Sequence, residues 1–177
     1  NSCGSVFTKA IIKNPEMLKD GFIQRKIYNS IKESIRQAKI GRIWVKGNYS
    51  FMISDPVAQC RSALGLSPDG LLPANYVYGN FWNERNITGE VCLLRSPLTH
   101  YSEVNVQQLA NTEEMRKWYK HIYSGIIYNI YDISVVKHAD SDFDGDICMA
   151  TDNPYFLKGA KRDELPIMYD KEAVPTQ

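Results

Sequence analysis

Cysteine is scarce in this chain of 177 residues, and its four copies, Cys3, Cys60, Cys92 and Cys148, are scattered without any C-x-x-C spacing. That argues against a structural zinc site and against a disulfide framework, and reduced intracellular thiols are the expectation. Long apolar runs are also missing. None approaches the ~20 residues a membrane-spanning helix needs, and the start carries no signal-peptide pattern. Without such a signal, the two Asn-x-Ser/Thr sequons at Asn48 and Asn86 read as chance. There is no internal repeat and no low-complexity stretch. Charge of one sign is lacking as well: the formal net charge is +1, so the overall field singles out no partner. An initiator methionine is absent too. The chain opens Asn1-Ser2-Cys3-Gly4 and closes Pro175-Thr176-Gln177, and both ends read as cuts in a longer polypeptide.

What is present is an ordinary globular composition, 44% hydrophobic and 23% charged, long enough for one domain or one domain with an appendage. Asn14-Pro15 is a capping residue followed by proline, a good helix opening. Ile23, Ile27, Ile31, Ile35 and Ala38 then recur as one apolar stripe, which Gly41 ends. Basic residues lie mainly off that stripe, as a solvated face or a contact for a phosphate backbone. After Gly41 the texture turns to β. Arg42–Lys46 and Tyr49–Ser54 read as strands around a Gly47-Asn48 turn. Asp55-Pro56 opens a short helix to about Leu64. Tyr76–Phe81, Glu90–Leu94 and Val104–Leu109 read as strands. Asn111 with Glu114 is a capping-box start for a helix that Gly125 ends. Ile126–Ile130, Ile133–Lys137 and Ile147–Ala150 read as further strands. The order predicts a mainly β, barrel-like α+β domain with an N-terminal helix and one inserted helix.

Asp140-Ser141-Asp142-Phe143-Asp144-Gly145-Asp146 sets four carboxylates at alternate positions. Acids spaced this way repel one another unless a cation sits among them. A straight strand at about 3.3 Å per residue would leave the ends of Asp142–Asp146 ~13 Å apart, whereas Mg²⁺ holds its oxygens at roughly 2.0–2.1 Å. A helix fails because i+2 points away from i and i+4. The segment must be a curled loop, with Gly145 supplying backbone freedom.

Three readings of this loop compete. The calcium loop of EF-hands matches Asp140, Asp142, Asp144, Gly145 and Ile147, then breaks at Thr151, which cannot supply the closing bidentate carboxylate. An acidic surface turn in a non-catalytic interaction domain is the second. The third is a catalytic metal site for phosphoryl or nucleotidyl transfer.

For the third reading, Asp142-Phe143-Asp144-Gly145-Asp146 resembles the D-F-D-G-D signature of the largest subunit of cellular RNA polymerases. The shorter D-x-D-G-D form marks the eukaryotic-type RNA-dependent RNA polymerases and related single-chain phage enzymes. Upstream, Gly89–His100 resembles the segment in which a strand leads into Arg-x-Pro-x-x-His, here Arg95-Ser96-Pro97-Leu98-Thr99-His100. The cellular enzymes tend to carry asparagine before that arginine, and Leu94 stands there instead. The resemblance covers roughly Gly41 to Asn153.

It implies a double-psi β-barrel, α+β but mainly β. The domains would be an N-terminal helical segment over 1–41, the barrel over 42–153 and a C-terminal extension over 154–177 that begins the next region of a longer protein. It further implies that Asp142, Asp144 and Asp146 are catalytic and hold Mg²⁺, or Mn²⁺ in its place, with a second ion arriving on the triphosphate. Arg95 would contact the ribose or phosphate of the nucleotide, with a strand-end salt bridge as its alternative. Asp140 falls outside the five-residue motif and is set aside. Phe143 is expected to pack inward, and His100 to serve packing or hydrogen bonding. Lys137 and His138 are assigned no chemistry. Implied partners are NTPs, a DNA or RNA template, the RNA product and the remainder of the same polymerase, with a second barrel that supplies basic residues; no membrane is involved. The fragment is expected to be inactive alone, and its place to be cytoplasmic, in a bacterial, viral or phage setting.

Overall fold

The computed structural model describes residues 6–167; the expectations for Cys3 and for both chain ends lie outside them. The described chain forms two compact units, divided between Trp44 and Val45.

The first unit is helical. Helix α1 (Val6–Lys13) is followed by a 3₁₀ turn (Pro15–Lys19) and helix α2 (Gly21–Lys39). Asn14-Pro15 therefore opens the 3₁₀ turn. Asp20 opens the long helix, its carboxylate accepting from the Phe22 and Ile23 amides, two of the donors a helix start leaves unpaired. Gly41 and Arg42 amides return to the Ala38 and Gln37 carbonyls and stop the helix after Lys39. Within the unit, Ile27 and Ile31 of the predicted stripe line a groove with Phe7, Ile11 and Ile12 of α1.

The second unit is a closed six-stranded barrel in the order β1-β5-β2-β4-β3-β6. Its strands are β1 (Asn48–Ser54), β2 (Tyr76–Tyr78), β3 (Glu90–Leu94), β4 (Asn105–Leu109), β5 (Gly125–Tyr128) and β6 (Ile147–Thr151). β1 runs parallel to β5, and β2 parallel to β4; the other neighbours are antiparallel. Alternation explains the interior, because successive side chains leave opposite faces of a strand. Met52, Val77, Val91, Leu93, Ile126, Tyr128, Cys148 and Ala150 point in and pack on Trp82. Burying each large aliphatic side chain is worth about 1.5–3 kcal/mol. The intervening Tyr78 and Ile127 face outward onto Leu72, Ala110, Met115 and Tyr119. Both faces of β5 are therefore covered, and every residue of Gly125-Ile126-Ile127-Tyr128 is buried, which is why that run lacks polar alternation.

Helices α3 (Pro56–Ala63), α4 (Asn80–Asn83) and α5 (Glu113–Tyr119) sit between strands, and α6 (Pro154–Gly159) follows β6. α3 takes the place read for the Asp55-Pro56 helix and α5 that of the inserted helix, while α4 is a further helix where strand was expected. Tyr76–Phe81 stops as a strand at Tyr78 because α4 begins at Asn80, whose side chain bonds Tyr78 Oη and the Tyr119 and Ile122 carbonyls. The α5 cap is Thr112 rather than Asn111, its Oγ1 accepting from the Met115 amide at 3.2 Å; Gly125 opens β5 instead of closing that helix. Arg42–Lys46 is not a strand. Ile133–Lys137 is a run of turns, pulled out of extension by side chains: Asn129 Oδ1 accepts from the Tyr131 and Asp132 amides, and Asp132 Oδ1 from the Ser134 amide. Cys60, Cys92 and Cys148 are free thiols. No described helix is long and apolar enough to cross a membrane.

Candidate metal centre

The acidic loop is delivered by this run of turns and anchored by the barrel. On its upstream side the Ser141 amide donates to the His138 carbonyl at 3.1 Å, and Ser141 Oγ to the Val135 carbonyl at 2.8 Å. On its downstream side the Met52 amide of β1 donates to the Asp146 carbonyl at 2.8 Å, and β6 starts at the next residue. Between these anchors the loop closes on itself. The Asp142 amide donates to Asp146 Oδ2 at 3.0 Å, and the Asp144 amide to Asp142 Oδ1 at 3.2 Å. Gly145 takes φ +139° and has open space around it, a backbone conformation that side chains disfavour.

The curl brings one carboxylate oxygen each from Asp142, Asp144 and Asp146 to within 4.8 Å of one another. Ligand oxygens around an octahedral ion at about 2.1 Å lie roughly 3–4.2 Å apart, so a slight contraction makes this set a fit for a hard cation. Electrostatics agrees. The Asp142 carboxylate, bonded and close, pushes the Asp144 carboxyl above its ordinary range, as like charges sharing a site must. Asp140 lies outside the cluster in a left-handed conformation, φ +56°. Phe143 does not pack fully inward: it is 40% exposed and leans on the Tyr128 ring, centroids 6.5 Å apart.

Arg95 reaches the same loop from the end of β3. Pairing of Leu94 with Met149 sets it beside the start of β6. Its Nη1 donates to the Ala139 carbonyl at 2.8 Å, and Nη2 to Asp146, 3.0 Å from Oδ1 and 2.9 Å from Oδ2. This guanidinium holds the Asp146 carboxyl below the usual range. His100 stays out of the cluster and caps the turn Tyr101–Glu103, its Nδ1 accepting from the Ser102 amide at 3.2 Å.

His138 is placed by the tertiary structure in a role that sequence reasoning missed. It is buried, with Nε2 3.4 Å from Tyr128 Oη and Nδ1 lacking a partner. Burial holds it neutral, its pKa pushed down to about 4. No spacing in the sequence marks this, because Tyr128 belongs to an unbroken apolar run. The calcium-loop alternative fails on its surroundings. The loop lies between turns and a strand rather than two helices, and Thr151 is buried with Oγ1 donating to the Lys46 carbonyl at 2.7 Å.

No family model matches the chain. It is similar to the DNA-directed RNA polymerase YonO of Bacillus phage SPbeta, 31% identical over 175 residues, which cover 96% of this chain and 20% of that relative. The chain thus spans about a fifth of the relative's length. In fold it is similar to the RNA-dependent RNA polymerase QDE-1 from Thielavia terrestris, at TM-score 0.57 and 17% identity, over 84% of this chain and 16% of that one. The closed barrel and the converging aspartates agree with the double-psi β-barrel that the D-x-D-G-D resemblance implies, and in sequence the chain is similar to part of a phage RNA polymerase.

Proposed function

We propose that this chain is the aspartate-bearing catalytic barrel of an RNA polymerase, a nucleotidyltransferase. Asp142, Asp144 and Asp146 would hold Mg²⁺, or Mn²⁺, and Arg95 would bind the incoming nucleotide. The observation that carries the reading is the convergence of three alternate carboxylates on one point, with a guanidinium beside them. When bound, the ion supplies charge neutralisation and a lowered pKa for the 3′-hydroxyl of the RNA. The chain's own residues supply the rest. The loop holds its carboxylates in a preformed ring, so little reorganisation is needed when charge arrives. Arg95 offers a planar fork suited to ribose or phosphate oxygens.

The domain reading accompanies this proposal: a helical segment over 1–41, the barrel over 42–153, and an extension over 154–177 leading into the remainder of the polymerase. That remainder would include a second barrel bringing basic residues. NTPs, a nucleic-acid template and the RNA product are the expected partners, inside a cell, and the fragment by itself should not polymerise. In the parent polymerase, Asp144→Ala should abolish template-directed RNA synthesis by at least a thousandfold while circular dichroism stays unchanged. Synthesis retained by that variant, or robust primer extension by the 177-residue chain alone, would overturn the reading.

A further inference from the structure

Asp146 is the most heavily used acid of the trio. Its Oδ2 accepts from the Asp142 amide at 3.0 Å and lies 2.9 Å from Arg95 Nη2, while Oδ1 accepts from the same nitrogen at 3.0 Å. Among the described residues no lysine or arginine pairs with Asp142 or Asp144. A divalent ion drawing on all three carboxylates needs an Asp146 oxygen that the guanidinium already engages. The pair is largely shielded from water, each side chain 21% exposed, so the repulsion between the ion and Arg95 is screened less than at an open surface. Arg95 also has a second hold, since Nη1 keeps the Ala139 carbonyl at 2.8 Å.

Resting on the reading of the trio as a cation site, we propose that Arg95 is a placeholder counter-ion. The divalent ion displaces its Nη2 from Asp146, and the guanidinium, still tethered at Ala139, becomes free to meet an anionic oxygen of the nucleotide. One carboxylate therefore links the cation and the nucleotide: loading the first releases the group that receives the second. The reciprocal consequence is that Arg95 weakens cation binding until a nucleotide engages it.

The test uses the 177-residue chain. Arg95→Met should bind Mn²⁺ about five- to tenfold more tightly than the wild type by calorimetry. In wild type labelled with ¹⁵N-arginine, one hindered guanidinium signal, assigned by its loss in Arg95→Lys, should sharpen or collapse as Mg²⁺ is added. The NMR arm decides alone if Arg95→Met fails to fold. The placeholder is overturned if Mg²⁺ binds while the Arg95 signal stays put, or if a folded Arg95→Met binds Mn²⁺ no more tightly. Mn²⁺ binding that survives unchanged in Asp142→Asn/Asp144→Asn, or is absent in the wild type, sinks the trio reading and this inference together.

Discussion

Gly145 separates two of the clustered carboxylates and turns the chain through φ +139°. A methyl there would meet no neighbouring atom, so the penalty of a substitution is conformational rather than steric. Gly145→Ala should cost about 1–3 kcal/mol, the range for a residue held in a sparsely populated backbone region, and should relax the loop away from its convergent form. The expected outcome is at least a tenfold loss of Mn²⁺ affinity by calorimetry with only a few degrees' fall in Tm. Wild-type affinity in that variant would show that the curl does not depend on this backbone angle. At this scale much was legible beforehand. Alternate acids cannot share an ion from a strand or a helix, so the need for a curl, and the glycine that allows it, follow from spacing alone. The hold of Arg95 on Asp146 was not legible, since 51 positions separate them and only the pairing of β3 with β6 brings them together. His138 was hidden although Tyr128 is only ten positions away, because nothing in an unbroken apolar run marks which residue will meet it.

Among the elements, β1 and β5 form a parallel pair in which Phe51 stands opposite Gly125. A Cβ at Gly125 would lie 2.1 Å from Ile53 Cδ1, 3.0 Å from Ile53 Cγ1 and 3.0 Å from Ile122 Cγ2. Gly125→Ala therefore overpacks the seam, and a destabilisation of about 1–3 kcal/mol is expected in urea unfolding. Adding Ile53→Val, which removes the nearest methyl, should recover much of that loss through a coupling of neighbours. A double variant no more stable than the additive sum would refute the steric account. Element existence was mostly readable from pattern: β3 occupies Glu90–Leu94 as the apolar run predicts, and β4 and β6 lie within a residue of their expected bounds. Element type failed where partners decide it. Arg42–Lys46 has strand texture but no ladder to join, and the Lys46 carbonyl goes to Thr151 Oγ1 instead. Ile133–Lys137 has strand composition, but aspartate and asparagine side chains claim its amides or those just before them.

For the whole molecule, acid stability should report the packing around His138. His138 is buried and neutral, with Tyr128 Oη 3.4 Å from its Nε2. Its pKa falls from 6.5 to about 4, chiefly by desolvation; the Arg95 charge adds to the fall and the Glu103 charge opposes it. The unfolded chain binds a proton there below pH 6.5 that the folded chain refuses until about 4, so stability drops as the pH falls through that window. The full difference is on the order of 3 kcal/mol, at 1.36 kcal/mol per unit. His138→Gln, which cannot take up that proton, should flatten Tm between pH 7 and 5, before the carboxylates titrate; an unchanged slope would refute the assignment. By itself the sequence determined the curl of the acidic loop, the candidate trio, the mainly β class and the resemblance that relates them to a polymerase, because spacing, periodicity and short motifs are local. Only the tertiary structure decided which strands are parallel, that the barrel closes, that Arg95 rests on Asp146 and that His138 is buried against Tyr128. Those contacts, most of them between residues far apart in the chain, exist only once the barrel has excluded water and set the register of its strands.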